Sequence, residues 1–339
     1  MLISAPPSQE HPAILADWLE LQALASDNRN ARVLSVSDVY DITQDTEEED
    51  VGDFDAQSDD LVARVTAEIQ RRIVALREAY PFQINDSGTI LTWGPEATLG
   101  RTVYLFCLMI CHVTHSALFE NEDLTAEARD GRNLFQVCAT IASAGLVHGP
   151  SYSFGWPRLD GTGFAEKLAQ IYNAFGDGKV RDKPLAAAPP AKDDGIDVIS
   201  WRHQPDGLPS TFYVLGQVAS GLNWREKTVL KDIERFHWAW FEIAPASPVS
   251  GAMFVPFCIT DTPAVGGDYD EQDFLVNRLQ FIAKEFGLFI YRYRLPLLAH
   301  QAEALSQLGA YEVEGIREIG RVADWNDAFI GRLRGAALR

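Results

Sequence analysis

The sequence predicts an α/β fold, with a mixed sheet flanked by helices and a mostly helical N-terminal domain in front of it. Two apolar stretches, IDVISW and FYVLGQVA, flank a polar loop that contains a Pro-Asp-Gly turn, so they are expected to pair as antiparallel strands. Stretches with helical apolar spacing alternate with further apolar runs through residues 159–300. A chain of 339 residues is long enough for two domains.

Helical patterns dominate the predicted N-terminal domain, residues 1–158. Helices are expected at residues 11–25, 61–80, 101–118 and 124–145, with one short strand at residues 89–93. Residues 45–60 hold nine acids and no base, a density that predicts a flexible loop. Cys107, Cys111 and His115 recur at four-residue spacing, and we interpret them as core residues rather than metal ligands.

The second predicted domain, residues 159–300, follows a Gly- and Pro-rich connection. Its expected helices lie at residues 164–175, 224–241 and 270–286, and its expected strands at residues 196–201, 212–219, 252–259 and 288–298. Residues 301–339 are expected to form helices that pack on the outside of this domain.

Two polar residues interrupt the paired apolar strands. Asp197 lies among isoleucines and valines, and Gln217 lies in the following apolar run. A buried charge costs several kcal/mol unless it is paired, hydrogen-bonded or bound to metal. Antiparallel pairing brings the two residues together, which predicts a site. The alternatives are a turn-capping Asp197 and a satisfied core amide at Gln217.

Asp194-Gly195-Ile196-Asp197 and Gln217-Val218-Ala219 together resemble the PD-(D/E)XK, or restriction-endonuclease-like, superfamily. The resemblance is nearest to the Mrr-type branch, which carries Asp-Gly-Gly-Ile-Asp on one strand and Gln-x-Lys on the next. It covers roughly residues 160–300. Ala219 stands where that family has lysine, and some members carry the lysine on the following helix. Asn223 to Glu226 predicts a helix that begins at Trp224 and holds Lys227 in its first turns.

This resemblance implies a DNA endonuclease that depends on Mg²⁺ or Mn²⁺, with a restriction-endonuclease-like fold. The implied metal ligands are Asp197, Gln217, the Val218 carbonyl and Glu166, a helix-start acid. Lys227 would orient the attacking water, so the implied catalytic residues are Asp197, Gln217, Lys227 and Glu166. Asp194 is interpreted as a turn residue. A solvent-exposed Glu166 and a surface Lys227 remain the structural alternatives.

DNA is the expected partner, and Arg292 and Arg294 are expected to contact it from one face of the last strand. The alternative is that both arginines pair with surface acids. The net charge of −19 argues against a simple nucleic-acid coat. However, residues 1–150 hold 24 acidic and nine basic residues, whereas residues 151–339 hold 24 acidic and 20 basic residues. The second domain is therefore nearly neutral.

The composition also bounds location and cofactor chemistry. The N-terminus lacks the pattern of a signal peptide, and no apolar run is long enough to span a bilayer. The four cysteines lack the spacing of a disulfide framework. Together these features predict a cytoplasmic protein without a membrane partner. No ATP phosphate-binding loop is present, so an ATPase would be a separate subunit. A role in restriction or antiphage defence follows only by analogy. The competing function is a catalytically inactive, DNA-binding or scaffold subunit, and the sequence leaves an oligomer open.

Overall fold

The computed structural model describes residues 3–4, 11–33, 51–115, 117–119, 123–158, 160–183, 193–262, 271–309 and 311–337. The chain divides into two compact units. Unit 1 comprises Met1–Arg129 and Arg321–Arg339, and unit 2 comprises Asp130–Gly320. In the part of the chain described, no helix combines the length and apolar character that crossing a bilayer requires.

Unit 1 is mostly helical, as expected, and also contains a small sheet. Its helices are α1 (Pro12–Ala25), α2 (Val51–Leu76) and α3 (Leu99–His115). Its antiparallel strands are β1 (Asn30–Arg32), β2 (Phe82–Ile84) and β3 (Ile90–Trp93), in the order β1-β3-β2. Only β3 was predicted, because three-residue strands are too short to show an alternating pattern.

The acidic stretch at residues 45–60 is not a loop throughout. Residues 51–60 form the first turns of α2, and residues 45–50 lie outside the described residues. Acidic side chains near a helix N-terminus interact favourably with the helix dipole, and extending an existing helix is less costly than starting one. The flexible-loop prediction is therefore wrong for residues 51–60.

A fully buried ion network lies within unit 1. The Arg72 guanidinium contacts Asp17 Oδ1 at 2.7 Å, Glu20 Oε1 at 2.8 Å and Glu68 Oε1 at 2.9 Å. The Tyr104 hydroxyl donates to Glu20 at 2.8 Å. Each buried carboxylate thus has a cation or a hydrogen-bond donor, as burial in an apolar core requires.

Two further helices cross the boundaries between the units along the chain. They are α4 (Thr125–Val147), which continues into unit 2, and α9 (Ile319–Ala337), most of which belongs to unit 1. In unit 1, Trp325 of α9 packs on Phe106 and Phe329 packs on Phe119, with ring centroids 5.0 and 5.6 Å apart. The last helix therefore belongs to unit 1, which differs from the predicted packing of residues 301–339. The second unit also begins earlier than the predicted domain, at Asp130.

Unit 2 contains a mixed five-stranded sheet with the order β10-β9-β7-β6-β4. The strands are β4 (Ser151–Ser153), β6 (Val198–Trp201), β7 (Tyr213–Val218), β9 (Val249–Phe254) and β10 (Leu288–Ile290), and β5 (Lys179–Val180) pairs separately with β8 (Phe241–Ile243). β6 is antiparallel to both of its neighbours, β4 and β7, whereas β7, β9 and β10 run parallel to one another. The predicted hairpin of the two apolar stretches is confirmed. β4 lies in the predicted connection and was missed.

The helices of unit 2 after α4 are α5 (Phe164–Phe175), α6 (Leu230–Trp240), α7 (Glu271–Phe286) and α8 (Leu295–Gln307). α5 and α7 closely match their predicted bounds. Residues of α5 and α6 form one core cluster with Ile199 and Trp201 of β6 and with Tyr213 and Leu215 of β7. Since side chains alternate along a strand, Asp197 and Gln217 fall on this helix-covered face of the sheet, at its end.

Candidate functional site

The Asp197 carboxylate lies at the end of the β6–β7 hairpin. Val198 pairs with Gly216, and the N–H of Asp197 donates to the Gly216 carbonyl at 2.8 Å. Asp197 Oδ2 accepts a hydrogen bond from the Val218 N–H at 2.7 Å. The carboxylate is thereby held beside the peptide bond that joins Gln217 to Val218, as the predicted strand pairing required.

A third segment approaches Asp197 from the end of β4. The N–H groups of Phe154 and Gly155 donate to the Asp197 carbonyl at 2.7 and 2.9 Å. A Cβ atom at Gly155 would lie 2.5 Å from Asp197 Oδ1, and 2.6 and 2.7 Å from the amide atoms of Gln136. Only glycine at position 155 leaves room for both of these polar side chains.

Gln136 is a site residue that the sequence analysis missed. It lies on α4, and its Nε2 donates to Ser153 Oγ at 2.6 Å. This bond orients the amide group beside Asp197. The sequence contained no signal for it, because Gln136 lies in an ordinary helical pattern far from the strand motif.

Gln217 carries an unsatisfied polar atom. Its Oε1 is buried and has no hydrogen-bond partner among the residues that the structure describes. An unpaired buried acceptor costs about 1–3 kcal/mol, so such an atom calls for an explanation. Among the described residues, no partner makes Gln217 a fully satisfied core amide.

Lys227 follows a short 3₁₀ helix, Leu222–Glu226, rather than lying inside an α-helix. Its backbone is extended, and its N–H donates to the Trp224 carbonyl at 3.1 Å. The predicted helix from Trp224 is wrong because Thr228 and Val229 separate this turn from α6. Trp224 anchors the turn between Phe286 and Phe289, with ring centroids 5.3 and 5.2 Å away.

The electrostatics link Lys227 to Asp197. Burial is the main cause that raises the pKa of Asp197, to about 7 in total, and the negative charge of Asp193 contributes in the same direction, while the hydrogen bond from Val218 opposes it. The ammonium group of Lys227 lowers the same pKa. Lys227 is therefore near enough to interact with the carboxylate through its charge, and its side chain is partly buried.

Glu166 and Asp194 differ in their surroundings. Glu166 is exposed in the first turn of α5, and no hydrogen bond or ion pair of Glu166 occurs among the described residues. Its recruitment to a metal stays a prediction. Asp194 adopts a positive φ of 53° and binds Arg235 at 2.7 Å and Trp240 Nε1 at 2.8 Å. These contacts agree with its interpretation as a turn residue.

Arg292 and Arg294 do not share a strand face, so that prediction is wrong. β10 ends at Ile290, and a turn leads from it into α8. Arg292 is 1% exposed, whereas Arg294 is exposed and donates to the Phe289 carbonyl at 2.8 Å. Alternation along a strand no longer applies once the backbone turns. Arg294 alone presents its side chain to solvent.

Unit 1 contains a separate group of metal-ligating side chains, formed by Asp17, Cys111 and His112. His112 Nε2 lies 2.7 Å from Asp17 Oδ2, and Arg72 occupies the other Asp17 oxygen. Burial lowers the pKa of His112, but Cys111 and the hydrogen bond to Asp17 outweigh burial and raise it to about 9. The protonated imidazole and Arg72 thus already neutralise Asp17. Cys107 is buried, in agreement with the interpretation of this helix as core.

The chain matches no protein-family model, no curated protein and no solved structure.

Proposed function

We propose that this protein is a metal-dependent endonuclease of the PD-(D/E)XK type, which hydrolyses phosphodiester bonds of DNA at the end of the β6–β7 hairpin. The observation that carries the proposal is the buried Oε1 of Gln217, which has no hydrogen-bond partner among the described residues and lies on the same face and end of the β6–β7 hairpin as Asp197. A cation at this position would bind both oxygens and remove the cost of the unsatisfied acceptor.

The donor groups around Asp197 fit a hard divalent cation. Asp197 would supply a carboxylate, and Gln217 and Gln136 would supply amide oxygens. Mg²⁺ and Mn²⁺ prefer such oxygen ligands, together with water and phosphate. Asp193 adds negative charge that Asp197 experiences. The Val218 carbonyl and Glu166 remain further proposed ligands.

The residues of the site divide the work of phosphodiester hydrolysis. A bound Mg²⁺ or Mn²⁺ would supply Lewis acidity and a more acidic water. Asp197 must be ionised to hold the cation, and the Val218 N–H keeps one of its oxygens in place. Lys227 stabilises the negative charge that develops on the phosphate oxygens and orients the attacking water.

A catalytically inactive, DNA-binding or scaffold subunit is the second candidate. Ala219 occupies the strand position of the family lysine, and Gln136 and Gln217 are neutral. A single carboxylate beside amide oxygens attracts Mg²⁺ less strongly than two carboxylates do. A role in restriction or antiphage defence, alongside a separate ATPase subunit, rests on the family analogy.

Incubation of the full chain with supercoiled plasmid and Mg²⁺ or Mn²⁺ separates the two candidates. The nuclease nicks or linearises the plasmid, and Asp197→Asn, with unchanged circular dichroism, does not. A wild-type protein that binds DNA and cleaves neither DNA nor RNA with either metal supports the inactive subunit.

A further inference from the structure

An exposed tryptophan lies next to the candidate site. Trp156 follows Gly155, whose N–H donates to the Asp197 carbonyl and at which an added Cβ would lie 2.5 Å from Asp197 Oδ1. Consecutive Cα atoms are about 3.8 Å apart, so the indole begins one residue from the site. The side chain is 53% exposed. Tryptophan is usually largely buried, and its exposure at this place is therefore informative.

The Arg158 guanidinium lies next to the Trp156 indole. It lies 5.6 Å from the Trp156 ring centroid, and 5.1 and 5.7 Å from those of Phe154 and Phe164. Arg158 itself is only 6% exposed, and its Nη1 donates to the Thr162 carbonyl at 3.4 Å. The attraction between the Arg158 cation and the π face of the Trp156 ring favours one orientation of that ring. The Trp156 ring is thus held in place while much of its surface remains open to solvent.

We propose that Trp156, oriented by Arg158, is a stacking platform for an unpaired nucleobase next to the phosphodiester bound at Asp197. This inference rests on the proposed function and names the form of its substrate. Bases inside a duplex already stack on their neighbours, so their faces are closed to a protein ring. A single-stranded or locally opened nucleic acid offers a free base face, which stacks on aromatic side chains with little dependence on sequence.

The test measures binding apart from cleavage. A fluorescein-labelled 20-nucleotide single strand and its duplex are titrated with the full chain in EDTA, and anisotropy is recorded. Wild type is expected to bind the single strand more tightly than the duplex. Trp156→Ala is expected to weaken single-strand binding roughly 10- to 100-fold, with a much smaller effect on the duplex. Trp156→Phe, which retains a ring, should recover most of the affinity.

Trp238→Ala is the matched control, because Trp238 is 67% exposed on α6. It should bind the single strand as wild type does. The stacking platform is refuted if Trp156→Ala binds the single strand as tightly as wild type does, or if its affinity falls by the same factor for single strand and duplex. It is also refuted if wild type does not bind single strands. A protein that passes this test but never cleaves nucleic acid with Mg²⁺ or Mn²⁺ contradicts the nuclease instead, so the two proposals fail separately.

Discussion

Asp197 Oδ2 accepts the Val218 N–H at 2.7 Å, so a strand-end backbone group positions the carboxylate of the candidate site. This contact uses one oxygen and leaves Oδ1 facing Gly155 and Gln136. The carboxylate is consequently fixed through Oδ2, and its Oδ1 faces a closely packed backbone and amide group.

The close approach of β4 to Asp197 predicts that Gly155→Ala disables the site. The new Cβ would lie 2.5 Å from Asp197 Oδ1, a distance at which one of the two groups must move. A displacement of about 1 Å costs a catalytic site roughly 100-fold in rate, which plasmid cleavage measures. Gly163→Ala is the control, because its Cβ meets no atom within 4 Å at an ordinary φ of −71°. Equal cleavage by both variants would contradict the assigned contact.

Lys227→Ala should reduce cleavage by about 10²- to 10⁴-fold, because it removes the ammonium group whose charge acts on Asp197. Binding of DNA should change far less, since one cation is lost from the whole interface. Lys231→Ala, on the exposed surface of α6, serves as the control and should cleave normally. A fully active Lys227→Ala variant would show that another residue performs the role.

The raised pKa of Asp197 predicts a specific pH dependence of stability. The carboxyl has a pKa of about 7 in the folded protein and an ordinary value of 3.8, so the folded state holds its proton more tightly. The stability that this provides is complete below pH 3.8 and is lost as the pH rises through 7. Asp197→Asn has no such group. The free energy of unfolding of Asp197→Asn should therefore rise, relative to that of wild type, by on the order of 2–4 kcal/mol between pH 4 and pH 8.

Urea unfolding at both pH values, in EDTA, measures this difference. Added Mg²⁺ should stabilise wild type at pH 8 and leave Asp197→Asn unchanged, because the cation replaces the proton on the same carboxylate. Parallel stability curves for the two proteins from pH 4 to pH 8 would rule out the buried, proton-binding Asp197.

In unit 1, Arg72→Met should destabilise the fold by about 3–5 kcal/mol, because it leaves Asp17, Glu20 and Glu68 in the core without their shared cation. Arg71→Met removes a neighbouring arginine whose side chain is 39% exposed and should cost about 1 kcal/mol or less. Chemical denaturation monitored by tryptophan fluorescence compares the two. Similar losses of unfolding free energy in the two variants would show that the buried network contributes no more to stability than a surface ion pair does.

The sequence by itself determined the elements whose pattern is local. The hairpin of β6 and β7, the approach of Asp197 to Gln217–Val218, and helices α5 and α7 follow from apolar period, turn residues and helix-ending glycine. These features depend on neighbouring residues along the chain. A single sequence is therefore sufficient to predict them.

Tertiary packing alone decided the remainder of the site. Gln136 and Asp197 lie on either side of Gly155 because β4 pairs with β6 and the glycine leaves room for both side chains. A three-residue strand such as β4 carries no periodic signal in the sequence. Arg292 is buried because the chain turns after Ile290, which breaks the alternation on which the DNA-contact prediction depended. Such contacts join residues far apart in the chain, and their free energy comes from shape and burial rather than from local propensity.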